Sequence, residues 1–136
     1  MKRINKFKTY ALVTGAASGM GRIYARRLAL MGYSLVIVDI NEKGLHETET
    51  LVMEEVAASD AFQDEEKGEF RVLAVQQDLS LPDAADSIYA RTEEAGCQVE
   101  VLVNNAGVMY CQGIAETSER MLRLIMMVHM NTPLML

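Results

Sequence analysis

Thr14-Gly15-Ala16-Ala17-Ser18-Gly19-Met20-Gly21 lies between an apolar run, Tyr10-Ala11-Leu12-Val13, and a stretch patterned like a helix. Three glycines at a strand-to-helix junction predict a loop that cradles a pyrophosphate. Gly15 lets the chain turn sharply off the strand, Gly19 lets backbone approach phosphate oxygens, and Gly21 lets the helix sit close on a sheet. Unpaired N–H groups in the first helical turn face the anion, and the helix dipole adds about half a positive charge. The loop of nucleotide triphosphatases is excluded, because it requires Gly-Lys-Ser/Thr where this chain has Gly21-Arg22-Ile23. A plain turn also gathers glycines, so the residues downstream decide between the two.

Gly32 comes next as a helix stop, then a second apolar strand, Ser34-Leu35-Val36-Ile37-Val38, and then Asp39, near where a ribose-binding acid belongs. Asp39 also reads as a strand-end residue capping a helix that begins near Glu42. On the first reading its carboxylate accepts from ribose hydroxyls but repels the 2′-phosphate of NADP, at a cost on the order of 1 kcal/mol per charge pair in water-like surroundings. NAD is therefore the expected cofactor, with NADP disfavoured. Neither Ala17 nor Ile40 is basic, whereas Arg22 and Lys43 lie close enough in sequence to weaken the argument.

The chain resembles the short-chain dehydrogenase/reductase family, whose glycine motif is TGxxxGxG, here Thr14 to Gly21. The likeness continues at Asp78-Leu79, similar to the family's Asp plus aliphatic residue beside adenine, and at Asn104-Asn105-Ala106-Gly107, similar to its NNAG motif after the fourth strand. Read from the residues alone, Asp78 is equally a capping turn with Ser80 and Pro82, and Asn104-Asn105 a strand-end turn. The resemblance implies cofactor contacts from Gly15, Ser18, Gly19, Met20, Gly21, Asp39, Ile40, Asp78, Leu79, Asn104, Asn105, Ala106 and Gly107. It also implies hydride exchange between the nicotinamide and a small-molecule carbonyl or alcohol substrate.

In that family a tyrosine, its pKa lowered by a lysine one helical turn later, exchanges a proton with the substrate oxygen while a serine positions that oxygen. Here Tyr10, Tyr24, Tyr33, Tyr89 and Tyr110 are followed four positions on by Thr14, Leu28, Ile37, Glu93 and Ile114. The family's serine, tyrosine and lysine are expected beyond the point matching Leu136, so the chain reads as an amino-terminal fragment, inactive alone. The family's fourth residue, an asparagine that holds a relay water through its main-chain oxygen, falls by spacing on His129, with Asn131 as the alternative. Pro133 cannot donate to the His129 carbonyl, which leaves that oxygen free; a histidine merely packed on an apolar helix is the competing reading. Two other classes stay open: an NAD-binding pseudoenzyme or sensor without turnover, and a structural subunit.

At 136 residues, 50% hydrophobic and 24% charged, the chain suits one domain, 1–136, burying about two thirds of its unfolded surface. A net charge of −6 and a pI near 4.9 argue against a nucleic-acid partner. Apolar runs are too short or too broken for a signal peptide or a membrane span, so a cytoplasmic protein is expected. Cys97 and Cys111 lack metal-ligand spacing and read as reduced, buried thiols; no metal site is assigned.

Apolar strands at 10–13, 34–38, 70–75 and 99–103 alternate with three amphipathic helices. The expected buried faces are Met20, Ile23, Tyr24, Leu28 and Met31; Leu45, Val52 and Val56; and Ala85, Ile88, Tyr89 and Ala95. Residues 57–69 are polar and read as an elaborated loop with few apolar anchors. The alternation predicts an α/β, Rossmann-like, doubly wound parallel sheet, truncated after the fourth strand and following helix, and the resemblance implies strand order 3-2-1-4. Met121 to Val128 is too apolar for a lone surface helix, so packing against a further chain and a homo-oligomer are expected.

Overall fold

Alternating apolar positions divide three of the four strands between two cores. The computed structural model describes residues 7–106: β1 (Tyr10–Thr14), α1 (Gly19–Leu30), β2 (Ser34–Asp39), α2 (Glu42–Ala58), α3 (Asp64–Lys67), β3 (Val72–Gln76), α4 (Ala84–Glu94) and β4 (Val99–Val103). All strand pairs are parallel and the order is β3-β2-β1-β4. Ala11, Val13, Leu35 and Ile37 enter one core with Ala25, Ala29, Leu45, Val52 and Val56 from α1 and α2. Leu12, Val36, Val38 and Val75 point the other way and pack with Leu79, Ala84, Ile88 and Cys97. β1 and β2 are covered on both faces, which is why they read as nearly continuous apolar runs.

The chain steps outward from β1 to β2 to β3 and then returns past β1 to β4. Right-handed crossovers place helices of opposite stepping direction on opposite faces, so α1 and α2 share one face and α4 takes the other. This is the doubly wound arrangement expected from the alternation.

Three expectations about packing need correction. On α1 the buried residues are Gly21, Ala25 and Ala29, while Met20 is 61% exposed and Ile23, Tyr24 and Met31 are exposed with it; of the expected stripe, Leu28 alone packs partly on the core. Small side chains at four-residue spacing let the helix axis approach the sheet, and the bulky ones are turned outward. On α4 the buried face is Ala84, Ala85, Ile88 and Thr92, with Tyr89 65% exposed and Ala95 outside the helix. The four-residue step from Ala84 to Ile88 to Thr92 outranks side-chain size.

Residues 57–69 are more ordered than a polar loop. α2 runs on to Ala58, and α3 opens at a cap in which Glu66 Oε1 accepts from Gln63 N–H at 3.3 Å. The missed anchors are aromatic: Phe62 and Phe70 pack against Phe7, with ring centroids 4.6 and 5.0 Å apart. Phe70 is drawn into that cluster and its N–H bonds the Lys67 carbonyl, so β3 begins at Val72.

Candidate functional site

The strand order reverses between β1 and β4, and the crevice beyond the carboxyl ends of strands at such a point is where α/β sheets bind ligands. The glycine loop from β1 lies there. Gly15 has φ +68°, and a Cβ on it would come within 2.9 Å of Ala106 Cα and Asn105 Nδ2. A Cβ on Gly21 would collide with the Gly15 carbonyl oxygen and stand 2.7 Å from Asn105 Nδ2. Gly21 therefore permits close approach to its own loop, besides lying on the buried face of α1.

Gly19, at φ +56°, differs: a Cβ there would meet nothing within 4 Å, so its backbone faces open space. Ser18 is extended and its side chain makes no capping bond. The first helical bond is from Arg22 N–H to the Ser18 carbonyl, and the N–H groups of Ser18, Gly19, Met20 and Gly21 have no acceptor among the described residues. Four backbone donors at a helix N-terminus are an anion cradle.

Thr14, the first residue of the motif, is buried, and its role was missed in the sequence. Its hydroxyl donates to the Val103 carbonyl at 3.4 Å and accepts from Asn105 N–H at 3.0 Å and Ala106 N–H at 3.1 Å. Asn105 Nδ2 in turn donates to the Gly15 carbonyl at 3.4 Å. One side chain thus joins the glycine loop to the Asn104-Asn105-Ala106 segment.

Asp39 ends β2 beside the same loop. Its Oδ2 accepts from Ala17 N–H at 3.0 Å and its Oδ1 from Asn41 N–H at 3.1 Å. Asn41 is the residue that caps α2, accepting from Gly44 N–H at 3.0 Å, so the capping reading of Asp39 gives way.

A second group missed in the sequence underlies the loop. A Cβ on Gly44 would stand 2.7 Å from Ala17 Cβ, so α2 touches the loop directly. Arg22 Nε donates to Thr48 Oγ1 at 2.8 Å, and its Nη2 donates to the carbonyls of Ala17 and Gly44 and to Glu47 Oε2. Thr48 Oγ1 donates to the Ala16 carbonyl at 2.7 Å. The guanidinium that weakened the cofactor argument is thus held by protein acceptors. Gly44, Thr48, Val52 and Val56, four residues apart and all buried, were the available signal.

Asp78 Oδ1 accepts from Ser80 N–H at 2.9 Å and Ser80 Oγ at 2.6 Å, the local turn that the residues alone suggested. The Leu79 side chain lies in the second core, Ile40 is exposed with its carbonyl accepting from Gln76 Nε2, and Asn104 is exposed beyond β4. Gly107, Cys111, His129 and Asn131 lie outside the described residues.

Behind the site, Cys97 is a free, buried thiol. Burial pushes it above its ordinary value, opposed by a hydrogen bond with Tyr10; the Tyr10 phenol is likewise raised, first by burial and then by Cys97. Among the described residues no cluster of His, Cys, Asp and Glu could hold a metal ion, and no helix is long and apolar enough to cross a membrane.

The family model described as short chain dehydrogenase matches residues 9–136. The chain belongs to that family. It is 37% identical over 111 residues to the (S)-acetoin-forming diacetyl reductase of Staphylococcus epidermidis, a match covering 80% of this chain and 37% of that protein. It is 32% identical over 111 residues to a very-long-chain 3-oxoacyl-CoA reductase-like protein of Arabidopsis thaliana, covering 80% and 31%. A metagenomic short-chain oxidoreductase solved in complex with NADP superposes with a TM-score of 0.80 at 25% identity, covering 98% of this chain and 54% of that one. The chain thus spans well under two thirds of the length of these short-chain dehydrogenases, whose family binds nicotinamide dinucleotides.

Proposed function

We propose that the chain binds NAD and forms the coenzyme-binding part of an oxidoreductase acting on a small alcohol or carbonyl compound. The observation that carries this reading is the set of four N–H groups at Ser18 to Gly21 that have no acceptor among the described residues, beside the Asp39 carboxylate. The residues fit such a group: Gly15 and Gly21 leave no room for side chains that would deform the loop, and Gly19 opens onto free space. Gly15, Ser18, Gly19, Met20 and Gly21 would hold the diphosphate, and Asp39 with Ile40 the adenosine ribose. Asp78 and Leu79 would flank the adenine, and Asn104, Asn105, Ala106 and Gly107 the ribose nearer the nicotinamide. When bound, the coenzyme supplies a hydride donor or acceptor.

NAD is favoured over NADP because Asp39 is a carboxylate at the ribose and Arg22 is engaged by Ala17, Gly44, Glu47 and Thr48. The carbonyl substrate class is that of the diacetyl reductase relative. Residues 1–136 would act as one domain in a cytoplasmic homo-oligomer, with His129 or Asn131 at the family's asparagine position. Calorimetric titration of NAD and NADP into the chain tests the reading: NAD should bind more tightly, and tighter NADP binding would overturn it.

The alternative is coenzyme binding without turnover. Hydride transfer measured alongside binding separates the two.

A further inference from the structure

Two successive peptide units of the glycine loop are held from behind by side chains outside the glycine motif's invariant positions. In the Ala16–Ala17 unit the carbonyl accepts from Thr48 Oγ1 at 2.7 Å, and the N–H donates to Asp39 Oδ2 at 3.0 Å. In the Ala17–Ser18 unit the carbonyl accepts from Arg22 Nη2, and the N–H, that of Ser18, has no acceptor among the described residues. The carbonyl and N–H of a trans peptide point in opposite directions. Gripping each carbonyl from the α2 side therefore turns each N–H to the other side of the loop, one onto Asp39 and one into the crevice.

The two grips are joined, because Thr48 Oγ1 accepts from Arg22 Nε at 2.8 Å while donating to Ala16. The result is a continuous chain of donors and acceptors: Arg22 guanidinium, Thr48 hydroxyl, Ala16–Ala17 peptide, Asp39 carboxylate. Hydrogen bonds in series polarise one another, and this one begins on a cation and ends on an anion. Thr48 is 0% exposed, so water cannot replace its hydroxyl, and Glu47 holds the outer edge of the guanidinium at 3.2 Å.

We propose that Thr48 and Arg22 are positioning residues that set coenzyme selectivity, by fixing Asp39 where it meets a ribose and by presenting the Ser18 N–H to the diphosphate. The proposal rests on the NAD reading of the site. Without the chain of bonds, Asp39 keeps Asn41 N–H as a partner but loses the loop N–H that holds its second oxygen. It can then swing aside, which weakens its grip on ribose hydroxyls and relieves its repulsion of a 2′-phosphate.

The test is titration of NAD and of NADP, separately, into the full chain as wild type, Thr48→Val and Thr48→Ser, with circular dichroism to confirm folding. Thr48→Val should weaken NAD about tenfold and NADP much less, narrowing the ratio of the two dissociation constants, while Thr48→Ser keeps the wild-type ratio. A merely structural Thr48 would lower the folded fraction and weaken both coenzymes by one factor; an unchanged ratio therefore overturns the inference. Should Thr48→Val fail to fold, Arg22→Lys carries the same expectation, and an unchanged ratio there has the same consequence. A wild type that prefers NADP or binds neither overturns the NAD reading and this inference with it. A wild type that prefers NAD, with a ratio insensitive to both variants, overturns this inference alone.

Discussion

The hydroxyl of Thr14 accepts the backbone N–H of Asn105 at 3.0 Å, joining the end of β1 to the end of β4 across 91 positions of sequence. The same oxygen takes Ala106 N–H at 3.1 Å. Removing it leaves Ala106 N–H without its partner, at about 1–3 kcal/mol for a group that water cannot reach, while Asn105 N–H keeps the Val103 carbonyl at 3.1 Å. Thr14→Val should therefore lower unfolding free energy by about 2 kcal/mol, and Thr14→Ser by much less. Denaturant melts of both variants check this, and equal stability would detach the hydroxyl from the joint.

Gly21 and Gly19 should respond differently to the same change. An alanine at 21 drives its Cβ into the Gly15 carbonyl oxygen, so Gly21→Ala should cost about 3 kcal/mol or more and abolish coenzyme binding. At 19 the space is open but φ is +56°, and Gly19→Ala should cost about 1–2 kcal/mol and leave the fold intact. Thermal melts read the two costs, and their reversal would contradict the loop geometry.

Asp39→Asn keeps an oxygen acceptor for the loop while removing the charge. Its effect on NADP should exceed its effect on NAD, shifting the ratio of dissociation constants toward NADP by about tenfold, the worth of one charge pair in partly screened surroundings. Paired titrations measure the ratio. No shift would mean that the carboxylate is not near the 2′ position.

Burial raises the Cys97 thiol, and burial together with Cys97 raises the Tyr10 phenol. Both groups are neutral in the fold and ionise at lower pH when the chain unfolds. Their contribution is complete below the ordinary thiol value and is lost as pH rises through the folded values. The melting temperature should fall between about pH 8 and about pH 11, and fall less in Cys97→Ala. Melts of the two proteins over that range decide it; identical slopes would remove Cys97 from the effect.

Phe62→Ala should cost about 3–5 kcal/mol, because Phe62 is buried against Phe7 beneath the polar-looking segment that links α2 to β3. The coenzyme dissociation constant of the folded fraction should not change. Urea unfolding gives the first quantity and calorimetry the second; a cost below about 1 kcal/mol would restore the segment to a loop.

Periodicity within one element was readable along the chain. Strands at Tyr10, Ser34 and Val99 begin where apolar residues begin, and the motif glycines at 15 and 19 hold positive φ because no other residue type adopts it as freely. The buried stripe of α1 was not readable, because side-chain size pointed to Met20 and Ile23 while packing distance selected Gly21, Ala25 and Ala29. The aromatic contact of Phe62 with Phe7 was hidden for another reason, since it joins segments far apart in the chain and neither residue sits in a periodic run.

Motif order and strand alternation alone were enough for the sheet class, the place of the glycine loop and a carboxylate at the end of the second strand, because each is read from residues that are neighbours in the chain. Folding supplied the rest: which face of each helix is covered, what Thr14 joins, and where the Arg22 guanidinium ends. Those depend on hydrogen bonds between residues as far as 92 positions apart, whose geometry exists only after the strands are laid side by side. A cation beside a phosphate-binding turn reads as a ligand for phosphate until its acceptors, Thr48 and the carbonyls of Ala17 and Gly44, are in place.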